Sequence, residues 1–297
     1  MAVISKSFFL YLRLFKYMAE SKILLQDKNI NSKPFLRWAG GKKWLIKEID
    51  NLLPKNGFNN YHEPFLGGGA IFFYLKPSNT AFLNDLNNEL IDTYECVKDD
   101  VEGVIEELKQ FKNNKDYYYD VRSKKYRKDT RKAARFIYLN QTSFNGIYRV
   151  NLKGEYNVPF GYRKKDFFEP DNLRLVSNSL SSTVFNSGDF TNSINNINKG
   201  DLVFLDPPYT ITHNNNGFFK YNQKLFSEKD QYLLSEMIDE IKNKEAYYVL
   251  TNAAHIKVKE IFNKGDKILE LKRASLIGGI NAKRGKYSEY IFTNCIR

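Results

Sequence analysis

Short apolar runs bounded by turn residues alternate along the chain with segments of helical period. Leu202–Leu205 (LVFL) follows the turn signal Lys199-Gly200-Asp201 and reads as a buried strand. Two prolines, Pro207 and Pro208, stop it at once and hold Asp206 and Tyr209 in rigid, non-regular backbone, because proline fixes its own φ and keeps the preceding residue out of the helical region. Upstream, "KPFLRWAGGKKWLIKEIDNLLP" predicts a turn at Gly40-Gly41 and then a helix with Leu45, Ile49, Leu52 and Leu53 on one face, ended by Pro54. "YHEPFLGGGAIFFYL" reads as strand, glycine loop, helix. "TAFLNDLNNELIDTYECV" gives a strand over Ala81–Leu83, ending at Asn84-Asp85, and a helix from about Asn87. That order opens a doubly wound α/β sheet. "STVFNSGDF" resumes the strands, "QYLLSEMIDEIKN" is an amphipathic helix, and "AYYVLTN", "KILELKR" and "YSEYIFTN" supply late strands.

Between Asp99 and Pro170 the pattern turns helical and basic, with loop text from Gln141 to Lys165 rich in Gly, Asn, Tyr and Arg. The predicted division is an N-terminal extension over 1–32, a catalytic core over 33–98 and 171–297, and an insertion over 99–170. The Asn-rich stretches "TNSINNINKG" and "THNNNGFFKYN" read as loops.

A chain of 297 residues with 42% hydrophobic content suffices for one large α/β domain, alone or with an insertion. Its formal charge of +12 changes the picture, since basic residues recur with aromatic ones in "YYYDVRSKKYRKDTRKAARFIY". Lys and Arg gain by releasing counterions from phosphates, so a polyanionic partner is expected. Cys96 and Cys295 have neither metal-ligand nor disulfide spacing, and the default compartment is a reducing cytoplasm. His62, His213 and His255 form no ligand pair, and no metal is expected. The apolar stretch Phe8 to Tyr17 is broken by Arg13 and Lys16 and is too short to span a bilayer, so no membrane partner is expected. Met18 opens a more ordinary polar start. Residues 1–17 are either an upstream extension or a helix packed on the body.

Gly67, Gly68 and Gly69 let backbone approach a ligand closely and aim amides at a strand edge. Asp85, at the end of the next strand, stands where an acid takes ribose hydroxyls in nucleotide-binding α/β folds; its alternative role is a helix N-cap. The loop lacks both G-x-G-x-x-G and the phosphate-loop spacing, so an adenosyl group without phosphates fits better than a dinucleotide or a triphosphate. Strand ends converge on the ligand crevice of such a sheet, which brings Asp206-Pro207-Pro208-Tyr209 toward the glycines. A carboxylate and a proline carbonyl match the two hydrogens of an exocyclic amino group, and the Tyr209 ring offers a planar base a face. The bland alternative for the tetrapeptide is a structural turn.

Six segments together, "FLRWAGGKKWL", "EPFLGGGA", "FLNDLNNELI", "LNQTSFNGIYRVNLKGEYNVPFGYRK", "FLDPPY" and "GKYSEYIFTN", resemble the Dam-type (D12 class, alpha group) DNA adenine-N6 methyltransferases from Lys33 to Asn294. The resemblance implies an α/β, Rossmann-like S-adenosylmethionine-dependent core with a mostly helical target-recognition insertion. It places Trp38, Lys42, Phe65, Gly67, Gly69, Asp85, Asp189 and Asp206 at the cofactor and makes Asp206, Pro207, Pro208 and Tyr209 the catalytic motif. The substrate it implies is double-stranded DNA with the target adenine flipped out and stacked on Tyr209. Phe144 matches an aromatic wedge, Asn145 a polar reader, Arg149 a guanine-reading arginine and Pro159 a position near a thymine methyl; Asn151 joins them as a DNA-binding residue. These segments resemble those of enzymes acting in GATC, with GATATC and GGATG as related sites. A monomer of prokaryotic or phage type is expected, with a cognate restriction endonuclease left open. Two features depart from the family: Gln141 stands where relatives often carry a basic residue, and "THNNNGFFKYN" is longer and richer in Asn. The rivals are a methyltransferase for RNA or for a protein amide, a non-catalytic nucleic-acid-binding module, and a nicotinamide oxidoreductase. The basic aromatic insertion disfavours the protein substrate, the coincidence of Gly67–Gly69, Asp85 and Asp206–Tyr209 disfavours the binding module, and the missing glycine fingerprint disfavours the oxidoreductase.

Overall fold

The computed structural model describes residues 31–209, 226–274 and 286–296. The readings of Phe8–Tyr17, Met18, His213 and "THNNNGFFKYN" lie outside the described residues.

The compact unit Lys33–Arg297 is built on one sheet. Its strands are β1 (Tyr61–Glu63), β2 (Ala81–Asp85), β3 (Thr183–Ser187), β4 (Leu202–Leu205), β5 (Tyr247–Ala253), β6 (Lys267–Ala274) and β7 (Lys286–Thr293), in the order β3-β2-β1-β4-β5-β7-β6. β1 to β5 run parallel, with Tyr61 opposite Ala81 on one side and Leu202 on the other. β7 is antiparallel to both β5 and β6. The order reverses between β1 and β4, so the chain leaves these two neighbours toward opposite sides and opens a crevice at their C-terminal ends.

All four residues of β4 are buried, because helices cover both sheet faces, as a parallel sheet requires. With the two-residue period of a strand, Leu202 and Phe204 join Tyr61 and Leu83 in one apolar body, while Val203 and Leu205 face the other. The first body is completed by α2 (Ala70–Leu75), α3 (Asn88–Asp99) and α7 (Pro170–Ser179), and the second by α8 (Glu228–Asn243) and α9 (Ile256–Phe262). Each fully buried Leu or Phe contributes roughly 1.5–3 kcal/mol.

The predicted helix after Gly41 is a chain of short turns: a 3₁₀ turn over Lys42–Trp44, α1 over Ile46–Ile49, and a second 3₁₀ turn over Asp50–Leu52. Its apolar face is nonetheless the predicted one, with Leu45, Ile49 and Leu52 buried. α8 begins earlier than "QYLLSEMIDEIKN" suggests, because Ser227 and Asp230 form a reciprocal capping box that nucleates the first turn.

The segment 99–170 carries α4 (Val101–Leu108), α5 (Lys115–Ser123) and α6 (Asp129–Thr142). It has no separate core. Ile105, Tyr118 and Tyr138 extend the same apolar body that holds Tyr61 and Leu83, with α6 lying along α3. After α6 the chain forms an arm, 143–161, pinned at its base by a bridge between Ser143 and Phe160 and closed near its tip by one between Val150 and Tyr156.

Candidate active site

The loop after β1 is shaped by its neighbours. Asn84, at the end of β2, donates through Nδ2 to the Pro64 carbonyl at 3.0 Å and the Gly188 carbonyl at 3.1 Å, tying the ends of β1, β2 and β3 together. The Gly67 amide donates to Asp85 Oδ2 at 2.9 Å, and the Gly67 carbonyl accepts from the Tyr94 hydroxyl at 3.1 Å. Gly67 has φ +47°, and a Cβ there would lie 2.6 Å from Trp38 Cδ1, so only glycine lets the loop pass under the indole. Asp85 is not the cap of α3. That role falls to Asn87, whose Oδ1 accepts from the Leu90 amide, while Asp85 Oδ1 accepts from the Asn87 amide at 3.0 Å. Burial pushes the Asp85 carboxyl above its usual range, and the Asn87 and Gly67 amides pull it back.

Across the crevice, at the end of β4, Asp206 meets Lys42 from the segment before α1. Lys42 Nζ lies 2.6 Å from Asp206 Oδ1, donates to the Gly40 carbonyl at 3.0 Å and sits 4.8 Å above the centroid of the Tyr209 ring. This lysine is only 4% exposed, an unusual place for an ammonium unless it is paired. The Thr251 hydroxyl of β5 donates to the same Asp206 oxygen at 2.8 Å. Burial raises the Asp206 carboxyl, and the Lys42 charge works against that rise. Pro207 is buried, which fixes the turn on which Tyr209 stands.

Two further acids face this group. Glu289 of β7 is buried; its Oε2 accepts from the Tyr209 hydroxyl at 2.5 Å and lies 3.9 Å from Lys42 Nζ. Glu63, ending β1, accepts from the Tyr61 hydroxyl at 2.8 Å, and burial pushes its carboxyl up to about 8, so it is mainly protonated at neutral pH. Neither was singled out from the sequence. The usable signal for Glu289 was an acid inside an otherwise apolar strand, "YSEYIFTN"; Thr251 and Tyr94 carried no such mark.

The sequence-predicted residues thus fall into two groups. Trp38, Lys42, Gly67, Gly69, Asp85 and Asp206–Tyr209 gather at the strand ends around β1 and β4. Phe65 points from the same loop into a ring cluster with Phe190 and Phe226, at 5.2 and 5.7 Å between centroids. Asp189 uses Oδ1 to accept from the Thr191 amide and hydroxyl, capping the 3₁₀ turn Phe190–Asn196. The second group lies on the arm. Phe144 is half exposed, its amide donating to the Pro159 carbonyl at 2.9 Å, and Asn145 stands beside it in the left-handed region at φ +55°. Arg149 is exposed and donates through Nε to Asn157 Oδ1 at 2.8 Å. Asn151 spends its side chain on the arm's tip, accepting from the Lys153 and Glu155 amides and donating to Glu155 Oε2. Gln141 pairs with Arg163 and with the Phe35 carbonyl.

Among the described residues no group of His, Cys, Asp and Glu could hold a metal ion, and no helix is long and apolar enough to cross a membrane.

Residues 38–277 match the family model for the D12 class N6 adenine-specific DNA methyltransferases. The chain is similar to the type II methyltransferase M1.LlaDCHI of Lactococcus lactis subsp. cremoris, 36% identical over 91% of this chain and 98% of that one. It is similar to the type II methyltransferase M.MjaIII of Methanocaldococcus jannaschii, 33% identical over 88% and 96% of the two chains. To the DNA adenine methylase of Haemophilus influenzae it is 34% identical, over 88% of this chain and 93% of the other. The glycine loop, the acid ending β2 and the Asp-Pro-Pro-Tyr turn all lie within the matched span, and the chain belongs to the D12 class of N6 adenine-specific DNA methyltransferases.

Proposed function

We propose that this adenine-specific DNA methyltransferase takes its methyl group from S-adenosylmethionine and transfers it to N6 of an adenine flipped out of duplex DNA, within the sequence GATC. The observation that carries the reading is the ion pair of the buried Lys42 with the partly buried Asp206 at the end of β4, one strand away from the Gly67–Asp85 cradle. The cradle fits an adenosyl group by its chemistry: a glycine loop under an indole, joined through the Gly67 amide to a carboxylate at the adjoining strand end suited to ribose hydroxyls. Trp38, Lys42, Gly67, Gly69 and Asp85 would hold the cofactor, with Phe65 and Asp189 supporting the loops beside it. S-adenosylmethionine bound there would supply a methyl group activated by its sulfonium, the sulfur keeping the electron pair of the carbon–sulfur bond.

The residues of this chain do the positioning. The Lys42 and Thr251 contacts both fall on Oδ1 of Asp206, which leaves Oδ2 as the acceptor for an amino hydrogen, with the Pro207 carbonyl as the second acceptor. A carboxylate there stabilises the positive charge that grows on nitrogen during transfer. Lys42 keeps that carboxylate ionised against the cost of burial, and Pro208 and the Glu289 contact hold the Tyr209 ring for stacking. On the arm, Phe144 fills the gap left by the displaced base, Asn145 and Asn151 present polar groups, Arg149 reads a guanine edge and Pro159 meets a thymine methyl.

Transfer of tritiated methyl to unmethylated DNA, with the product nucleoside identified, tests the chemistry. Asp206→Ala should abolish transfer while DNA binding persists; near-normal turnover would remove Asp206 from the mechanism. Methylation mapping of a genome expressing the protein tests the site, and modified adenines confined to GATATC, GGATG or another context would replace GATC.

A further inference from the structure

Between the two groups of site residues stands one side chain that neither contains. Tyr148 lies on the arm next to Arg149, and its ring stacks on Trp38 with centroids 5.9 Å apart and planes 21° from parallel. The indole in turn lies against Gly67. The Tyr148 hydroxyl donates to Glu89 Oε2 at 3.1 Å, in the first turn of α3 and four residues after Asp85. On its arm side the ring meets Phe136 of α6 at 5.4 Å and Tyr156 at 5.7 Å. Tyr148 therefore touches the Trp38 indole that covers the glycine loop, the first turn of α3 and the body of the arm.

A second set of contacts runs beside it. Asn140, near the end of α6, accepts from the Arg37 amide and donates to the Arg37 carbonyl, each at 2.7 Å, so the backbone next to Trp38 is fastened to the helix that launches the arm. The Arg37 side chain folds back to donate to the Gln141 and Ser143 carbonyls at 3.3 and 3.2 Å. Gly146, at φ +63°, packs against that side chain so closely that a Cβ would lie 2.4 Å from Arg37 Cβ. Phe144 to Gly146 is thus seated on the segment that carries Trp38 and Lys42.

We propose that Tyr148 is a positioning residue that links the two ligands: through its stack on Trp38 it couples occupation of the cradle to the placement of Asn145 and Arg149, so that cofactor and DNA each tighten the binding of the other. Tyr148 touches neither ligand in this reading and acts through Trp38. Linkage of this kind is reciprocal and, at typical strength, amounts to roughly five- to 150-fold. The proposal rests on the assignment of the cradle to cofactor and of the arm to DNA.

The test measures the dissociation constant of a duplex carrying the mapped methylation site, with and without saturating sinefungin as a non-reactive analogue. The wild-type protein should bind the duplex at least about five-fold tighter with sinefungin present. In Tyr148→Leu, which keeps apolar bulk but not the stack, that ratio should fall toward one, while sinefungin alone and duplex alone still bind. Tyr148→Phe, which keeps the stack and loses the Glu89 bond, should retain most of the ratio. A wild-type ratio of one, or a wild-type ratio preserved in both Tyr148→Leu and Tyr148→Ala, overturns the link. Loss of sinefungin binding itself in a folded Tyr148→Leu also overturns it, because the residue would then belong to the cradle. Failure of the wild-type protein to bind sinefungin or duplex alone would instead refute the underlying assignment of the two sites.

Discussion

Lys42→Met removes the ammonium that stands 2.6 Å from Asp206 and keeps the apolar stem. At that distance the pair attracts by about 6 kcal/mol for an effective dielectric constant of ~20. Part of this is offset because the lysine no longer has to be desolvated, and removing one partner of a buried pair typically costs about 3–5 kcal/mol. Asp206 is 19% exposed, which points to the lower end, about 3 kcal/mol of stability. The cost depends on pH. Without Lys42, the Asp206 carboxyl rises further above its unfolded value, so the native state holds its proton while the unfolded state has lost it, and stability falls as pH rises through that window. Urea unfolding should therefore show a larger penalty at pH 8 than at pH 5, and the acid limb of kcat/KM should move to higher pH. Adding Asp206→Asn to Lys42→Met removes both charges and should return much of the stability but none of the activity. A penalty within about 0.5 kcal/mol, the ordinary range for surface changes, or one equal at both pH values, would refute the claim that Lys42 neutralises a buried Asp206.

Tyr209→Phe and Glu289→Gln each weaken the same 2.5 Å contact, so the double variant should lose no more kcat than the worse single one; additive losses would show that Glu289 acts elsewhere. Arg149→Ala should relax selection for the guanine before the target adenine by roughly five- to a hundred-fold, the effect of about 1–3 kcal/mol at one base; an unchanged methylation profile refutes its reading role. Glu63, raised in the folded state to about 8, adds stability that is full below the unfolded carboxylate range and is lost as pH rises toward 8. Glu63→Gln should flatten that slope in thermal melts, with the variant gaining on the wild type between pH 5 and 9, and a slope unchanged by the substitution would place the titration on another group.

Local pattern made the strands and the glycine loop legible, because each is dictated by neighbours in sequence: an apolar run for β4, three glycines after β1, two prolines after Asp206. The same logic failed over Lys42–Leu52. The apolar spacing is helical there, but Lys42 must turn inward to reach Asp206, and the chain meets both demands as separate short turns. For Glu289 only the acid within "YSEYIFTN" was legible; its place beside Tyr209 and Lys42 comes from β7 lying antiparallel beside β5, a pairing that joins residues about forty apart in the chain. Asp85 shows an intermediate case. Its position at a strand end was readable, but its bond to the Gly67 amide, which makes it part of the loop's own framework, emerges only once β1 and β2 are side by side.

The distribution of charge bears on the proposed flipping of the target base. The chain carries a formal +12, yet Asp206 and Glu289 gather around Lys42, and the buried Glu63 carboxyl nearby is pushed up to about 8. A phosphate brought against such a group would meet buried carboxylates in a region of weak screening, where like charges repel strongly. An amino group, by contrast, brings two donors to a site rich in acceptors. Under the proposed function, the basic surface and the acidic crevice would sort the parts of one polyanionic substrate: Lys and Arg outside would retain the backbone, and the crevice would take a neutral, donor-bearing base edge. Backbone and base are covalently joined, so under that function satisfying both at once would require the nucleotide to rotate out of the stack, at an unpairing cost of a few kcal/mol. The Phe144 ring is exposed on the arm beside Pro159, and under the proposed function it would offset that cost by filling the vacated position.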